Sequence, residues 1–533
     1  MKILSSGFGM VILFMFTAIT RYGMAKEKRV MFFTLIKSMW SSRLLPVLVA
    51  FPSFFVQSQI IQTGRIEVPI QMDIESYLVV SLDTSGIALY RSFIGDRENQ
   101  LELVRLDTAL HQVWNGFLPV AKGLSLANVK ANDGKIYFFY KNQNPGSKSF
   151  TVFVVAAQNG SYFSFTIKNL IQFNATEFIV SKDAILIGGY FNFRPIVLYY
   201  SMRDQHSRIL PGFLNEPGEL TQVKTYPDGN VDVIVSARNN YRKKCLWIRH
   251  FDNAGDLTKT VILEPDENKN LIFGRAAKME NDNQVIVGVY GRGAEFSRGI
   301  FVAEINSYGE YVIRYYSYAD LQNFFHYMKA KHEKRIKARI ERRRIKGKKA
   351  KFNYRFLVHE VIPYGNQFIM LGEAFYPTYT GSPGFYGPPV MSGYSPWNYG
   401  LNSRNFYNTP YRSDMVFDGF QYTHAVVIGF DADAKLIWDN SFEINGVKSF
   451  HLEQFVKLVP EQSKIALLYI YENEIRSKVI KDNNVLEGTI QSPIVTLRDG
   501  EHQKTRAQSS KLEYWYSNHL FVYGVQDLKD KSD

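Results

Sequence analysis

Apolar residues enter this chain in short blocks. "YLVVSL" begins at residue 77, "IYFFYK" at 136, "ILIGGYF" at 185, "VDVIVSA" at 231, "VIVGVYG" at 285, "FIMLGEAF" at 368 and "IALLYI" at 465. Each block is rich in β-branched and aromatic residues, is too short for a core helix, and is bounded by polar residues; that combination predicts strands. Between blocks lie turns such as "FDNAG", "INSYG" and "FDADA". Asp, Asn and Gly tolerate the left-handed backbone that tight hairpins need, so these predict hairpin connections.

The whole plan is visible in 285–317, "VIVGVYGRGAEFSRGIFVAEINSYGEYVIRYYS", and returns in 231–263 and 185–210. Strand, turn and strand are followed by a polar turn and a further strand. Once two intervening stretches are set aside, the units recur about every 50 residues. A small antiparallel sheet cannot bury both its faces alone, and stacking such sheets radially hides each face against a neighbour. Seven units therefore predict an all-β, seven-bladed β-propeller over 59–528, with six and eight blades as the neighbouring counts and 529–533 as a charged tail. Ring closure is expected from the chain ends, with "HLFVYGV" (519–525) against "IIQTGRIEVPI" (60–70).

Two insertions break the repeat. The first contains "KAKHEKRIKARIERRRIKGKKAK" (329–351), with thirteen Lys and Arg against two Glu. Leu321, Phe325, Met328, His332, Ile336 and Ile340 recur every three to four residues, which predicts an amphipathic helix over 321–351 that stops near Gly347. Its candidate binding residues are Arg335, Arg339, Arg342, Arg343, Arg344, Lys348 and Lys349. The second, 376–412, is dominated by Gly, Pro, Ser, Asn and aromatic residues and predicts a long irregular loop. Rigid aromatic rings give large contact area at low entropic cost, so Tyr379, Tyr386, Tyr394, Trp397 and Tyr399 are its candidate recognition residues.

Charge refines this picture. The net charge of +13 over 533 residues is concentrated in 329–351 and in residues 1–58, leaving the remaining chain slightly acidic. A general nucleic-acid binder carries its basic face on the folded domain itself. No aromatic stacking platform accompanies the basic run, so nucleic acid is disfavoured as its partner. An anionic membrane surface, a lipopolysaccharide headgroup or an acidic protein patch fits it better.

The amino terminus carries two apolar runs. "GMVILFMFTAIT" (9–20) is short for a membrane span. The run beginning at Met39, "MWSSRLLPVLVAFPSFFVQSQ", resembles an export signal cleaved before Gln59, with translation starting at Met31 or Met39. The other reading of 1–58 is an uncleaved anchor. Export places the protein in the periplasm or at the outer membrane; the anchor would instead hold it by its N-terminal apolar segments. Cys245 is the single cysteine, so no intramolecular disulfide forms.

Catalytic patterns are absent: there is no nucleophile elbow, paired metal-binding His, P-loop or dinucleotide fingerprint. No cofactor, metal ligand set or catalytic residue is assigned. "DGFQYTHA" (418–425) offers Asp418 and His424 as a possible acid–base pair, and Asp431 and Asp433 read as turn residues rather than calcium ligands.

"LGEAFYP" (371–377) and "FDGFQYTHAVVIGFDADAKLIWDNSFEI" (417–444), together with the Gln-terminated signal, resemble exported propeller-like proteins of Bacteroidetes bacteria. That resemblance implies a cell-envelope setting beside the secretion and gliding machinery, and it carries over no catalytic residue. The resulting expectation is a non-enzymatic scaffold for protein partners in the envelope. A carbohydrate-binding or carbohydrate-cleaving propeller using axial carboxylates is the alternative. An RNA-associated propeller is third.

Overall fold

The computed structural model describes residues 9–19, 59–70 and, with short gaps, 76–381, 415–497 and 502–529. The described residues form eight antiparallel sheets. Seven are blades of four main strands that follow chain order, spanning 78–120, 124–168, 174–209, 218–263, 270–317, 355–443 and 457–493, and the sixth of them carries the short Lys448–Ser449 as a fifth strand. The all-β propeller architecture expected from the repeat is therefore present.

The eighth sheet is built from both chain ends. Lys511–Tyr514 pairs with His519–Lys529, which pairs with Gly9–Ile19, which pairs with Gln59–Ile70. The expected closure through 519–525 occurs, but 60–70 is one strand further out. Gly9–Ile19 lies between them, a run outside the 59–528 span assigned to the propeller. The signal-like run 39–58 lies outside the described residues, and no helix among those residues is long and apolar enough to cross a membrane. Counting repeats gives seven because six of the seven apolar blocks are second strands of contiguous blades, and the eighth blade has no contiguous repeat to count.

Separate apolar clusters hold successive blades together. One joins the first and second blades through Leu103, Phe138 and Val155; the next joins the second and third through Phe139, Phe178 and Ile187. The series continues around the ring until Leu468, Val479 and Val522 join the seventh to the eighth. Ile87, Leu89 and Phe521 then join the eighth back to the first. Second strands bury both faces, which is why Gln284–Gly291 is buried at every position and reads as a continuous apolar block.

Strand parity fixes where the insertions emerge. Successive strands of a blade run in opposite directions, so the connection between second and third strands and the connection to the next blade open on the same face of the ring. The basic insertion joins the fifth blade to the sixth, and the aromatic insertion lies between Gln367–Gly381 and Met415–Asp431, the second and third strands of the sixth. Both therefore open on one face.

Candidate functional site

The helical reading of 321–351 is corrected at its start. The helix, α1, is Ala330–Ile345, and 321–329 runs in turns against the sixth blade. Asp439, buried in the outer strand of that blade, accepts from the backbone amides of Gln322 (2.8 Å) and Asn323 (2.7 Å). Asn323 Nδ2 donates to the Asp439 carbonyl (2.7 Å), and Ser441 Oγ donates to the Asn323 carbonyl (2.8 Å). Leu321, Phe324 and Phe325 are buried in the large core cluster. The apolar spacing that mimics a helical stripe is thus a set of tertiary anchors. Burial pushes the Asp439 carboxyl up from its usual range, and the two amide donors pull it back. Asp439→Ala is expected to loosen 321–329, read as faster amide hydrogen exchange there, with exchange in the first blade unchanged.

Past this anchor, Ile336 and Ile340 pack α1 against the same cluster. The helix ends as expected at Gly347, whose φ of +63° supplies the left-handed turn. Gly347 and Lys348 amides donate to the carbonyls of Arg344 and Arg343 (2.9 Å each), satisfying the helix end.

The second insertion starts as sheet, not as loop. Pairing between the strands continues from Ala374↔His424 out to Gly381↔Met415, carrying Tyr376–Gly381 about 20 Å beyond the blade. This arm is braced by Lys448–Ser449 pairing with Phe420 and Gln421, by an ion pair between Lys448 and Asp418, and by Phe417 against Phe420 and Phe450. Residues 382–414 lie outside the described residues.

Where the helix start, the arm and the 443–446 connection meet, they enclose a cleft of about 550 Å³. Tyr327, Met328, Lys329 and His332 form one side; Tyr376, Gln421, Tyr422 and Thr423 form the second; Glu443, Ile444, Asn445 and Gly446 form the third. Gly446 has φ of +80°, and a Cβ there would strike the Tyr471 ring, so glycine sets the turn that presents Asn445. The Gln421 amide is fixed by donating to the Val447 carbonyl (2.8 Å), and Thr423 Oγ1 donates to the Ala374 carbonyl (3.1 Å). Tyr376 is 48% exposed, an open ring face beside the cleft. Glu443 is exposed and is the lone carboxylate among the lining residues.

Behind Tyr327 stands His424, fully buried. The two rings stack at 3.7 Å between centroids and 5° between planes, and Phe324 meets the imidazole edge-on at 4.9 Å. Nδ1 lies 2.9 Å from Thr423 Oγ1, and Nε2 has no hydrogen-bond partner among the described residues. Burial drops its pKa to about 3, so the ring is neutral at ordinary pH. The suggested Asp418–His424 pair does not form. Six residues along one strand separate the two by about 20 Å, and Asp418 is held by Lys448 instead. Asp431 closes its turn by accepting from the Lys435 amide (2.7 Å), as expected for a turn residue.

Of the residues singled out from sequence, Arg335, Arg339, Arg342, Arg344, Lys348 and Lys349 are exposed on or just beyond α1, and Arg343 is half-buried. None lines the cleft. Tyr379 packs within the arm against Phe417 (5.9 Å), and Tyr386, Tyr394, Trp397 and Tyr399 lie outside the described residues. The residues missed are Tyr327, Tyr376, Gln421, Glu443 and Asn445. The one signal that could have found them is strand parity, which puts the three connections on a shared face.

No protein-family model and no curated protein sequence matches the chain. Solved structures do resemble it. The β-propeller domain of the Trilobed protease from Pyrococcus furiosus aligns at 9% identity and TM-score 0.34, covering 77% of this chain and 96% of that one. A prolyl endopeptidase aligns at 12% and 0.37, covering 86% of this chain, which spans only 54% of the peptidase. A polysaccharide lyase aligns at 8% and 0.37, covering 77% and 91%. At these identities the likeness is one of fold. The expectation of a non-enzymatic scaffold is not what these neighbours bear: they carry the names of a protease, a prolyl endopeptidase and a polysaccharide lyase, and the scaffold reading is set aside.

Proposed function

We propose that the chain is a carbohydrate-binding propeller of the enzyme-associated kind, and that the saccharide lies in the cleft between α1 and the sixth blade. The observation that carries this reading is the composition of the cleft wall: the rings of Tyr327 and Tyr376 together with Gln421, Thr423, Glu443 and Asn445. A sugar presents C–H faces that pack on aromatic rings and hydroxyls that both donate and accept. Amide and carboxylate side chains on a firm backbone match those hydroxyls, while few converging polar groups set the orientation. The volume suits a short oligosaccharide segment rather than a single small ion.

The wall is also held in place before any ligand arrives. Tyr327 is backed by the buried His424 ring, and its hydroxyl lies 3.2 Å from that of Tyr354. Such preorganisation lowers the ordering cost of binding. Glu443 and His332 are the cleft's titratable side chains apart from Lys329 and the tyrosines, and are the positions at which cleavage of a bound saccharide should be sought.

Binding to an immobilised polysaccharide panel tests the proposal. Tyr376→Ala and Gln421→Ala are expected to weaken capture by about tenfold or more each, as loss of a stacked ring or an oriented hydrogen bond does. Tyr241→Ala, at an exposed ring in the fourth blade, should leave capture unchanged. Capture insensitive to both cleft substitutions would remove the saccharide from this cleft.

A further inference from the structure

Lys329 and His332 belong at once to the cleft wall and to the start of the basic stretch, so the cleft opens directly onto α1. On the helix, Lys331, Arg335, Arg339, Arg342 and Lys346 follow one another at three- and four-residue steps. That spacing lines them along one side as a straight ridge about 22 Å long. All five are exposed. Ile336 and Ile340 occupy a different side, where they pack on the core, so the ridge is not consumed by folding.

Like charges at this spacing repel, and a sequence selected only for helix stability would intersperse carboxylates. Among the described residues, Lys337 is the one cation of 329–351 with a carboxylate in ion-pair range, and its partner Glu333 (2.6 Å) is shared with His326 (2.9 Å). The ridge itself therefore has no ion-paired carboxylate among the described residues. Its field is strongly positive, with thirteen Lys and Arg against Glu333 and Glu341 over 329–351, and is continuous with a cleft whose lining contains a single carboxylate, Glu443.

We propose that the ligand is an acidic polysaccharide: one segment occupies the cleft, and the chain continues along the α1 ridge with its carboxylate or sulfate groups against Lys331, Arg335, Arg339, Arg342 and Lys346. This inference rests on the carbohydrate reading of the cleft and adds the charge of the polymer and the path it follows. Length and regular spacing favour a repeating polyanion over a compact acidic ligand, which would meet only one or two of these cations. The cleft's aromatic wall favours a sugar polymer over a lipid surface, which has nothing to place there.

Binding isotherms for the full chain against polygalacturonate, neutral dextran and phosphatidylglycerol vesicles test the proposal. The variants are a ridge variant (Arg335→Gln, Arg339→Gln, Arg342→Gln) and Tyr376→Ala. The three ridge positions are exposed, so the fold is expected to survive the substitutions, and thermal melts check it. Expected are a preference of about tenfold or more for polygalacturonate over dextran and a fall of about tenfold in the ridge variant, together with weakening by salt. Tyr376→Ala should weaken both polymers. Equal affinity for dextran and polygalacturonate, lost in Tyr376→Ala but untouched in the ridge variant, overturns the acidic-polymer inference and leaves the carbohydrate reading standing. Binding of vesicles that depends on the ridge but not on Tyr376, with no polysaccharide bound, overturns both.

Discussion

Replacing Glu373 by Ala is expected to cost about 3–5 kcal/mol of stability, the largest effect of any single substitution outside the apolar core. Glu373 is wholly buried in the second strand of the sixth blade. Its carboxylate receives His359 Nε2 (2.9 Å) from the first strand and the amides of Phe455 (3.1 Å) and Val456 (2.6 Å) at the entry to the seventh blade. One side chain thus ties two blades, and its removal strips two buried donors, His359 Nε2 and the Val456 amide, and the half-buried Phe455 amide of their shared acceptor. A buried donor left without an acceptor carries its full desolvation cost, which is why truncation does more harm than the net worth of the bonds. Thermal and denaturant unfolding check it, with Glu443→Ala, at an exposed carboxylate, as the control expected to melt like the parent. A Glu373→Ala protein within about 0.5 kcal/mol of the parent would show that the strut is not made.

The second large effect is a dependence of stability on pH that originates in His424. Its folded pKa, about 3, lies below the ordinary imidazole value of 6.5 because the charged form is desolvated. Between those values the unfolded chain binds a proton that the folded chain does not, so stability falls as pH is lowered from about 6.5 towards 3. The loss reaches about 2 kcal/mol by pH 5. His424→Phe keeps a flat ring for Tyr327 and Phe324 and removes the titration. It is expected to flatten the decline over this window, as read from urea midpoints between pH 7 and 4.5. An unchanged slope would place the acid sensitivity elsewhere.

The sequence made the architecture legible and left the site obscure for a physical reason. Second strands such as Gln284–Gly291 are buried on both faces, so their apolar character is continuous and survives any local noise. The closing strand 519–525 is legible, but the closing blade escapes the repeat count and its Gly9–Ile19 strand goes unread, because strands from opposite chain ends pair only in space. Leu321 and Phe325 satisfy the helical spacing, yet the Asp439 carboxylate takes the amide hydrogens of Gln322 and Asn323 that a helix would need. A local pattern cannot reveal that competitor. The cleft is less legible still. Tyr327, Tyr376, Gln421 and Glu443 come from three separate connections, and none sits in a motif that its neighbours announce. The basic run was visible as charge, but its geometry, an exposed ridge beginning at the cleft rim, emerges only when Ile336 and Ile340 are seen turned to the core.

The assembly of helix, arm and connection into one cleft is tested most directly by chemical cross-linking. Cys245, the only native cysteine, is buried, with its thiol pKa pushed up to about 11 by burial, and stays silent towards maleimides. With His332→Cys and Asn445→Cys introduced together, a short bis-maleimide is expected to form an intramolecular bridge rapidly. Arg344→Cys paired with Asn445→Cys, a helix length away, should not bridge. Efficient single labelling of both His332→Cys and Asn445→Cys without any bridge between them would contradict the shared cleft, and with it the function assigned to it.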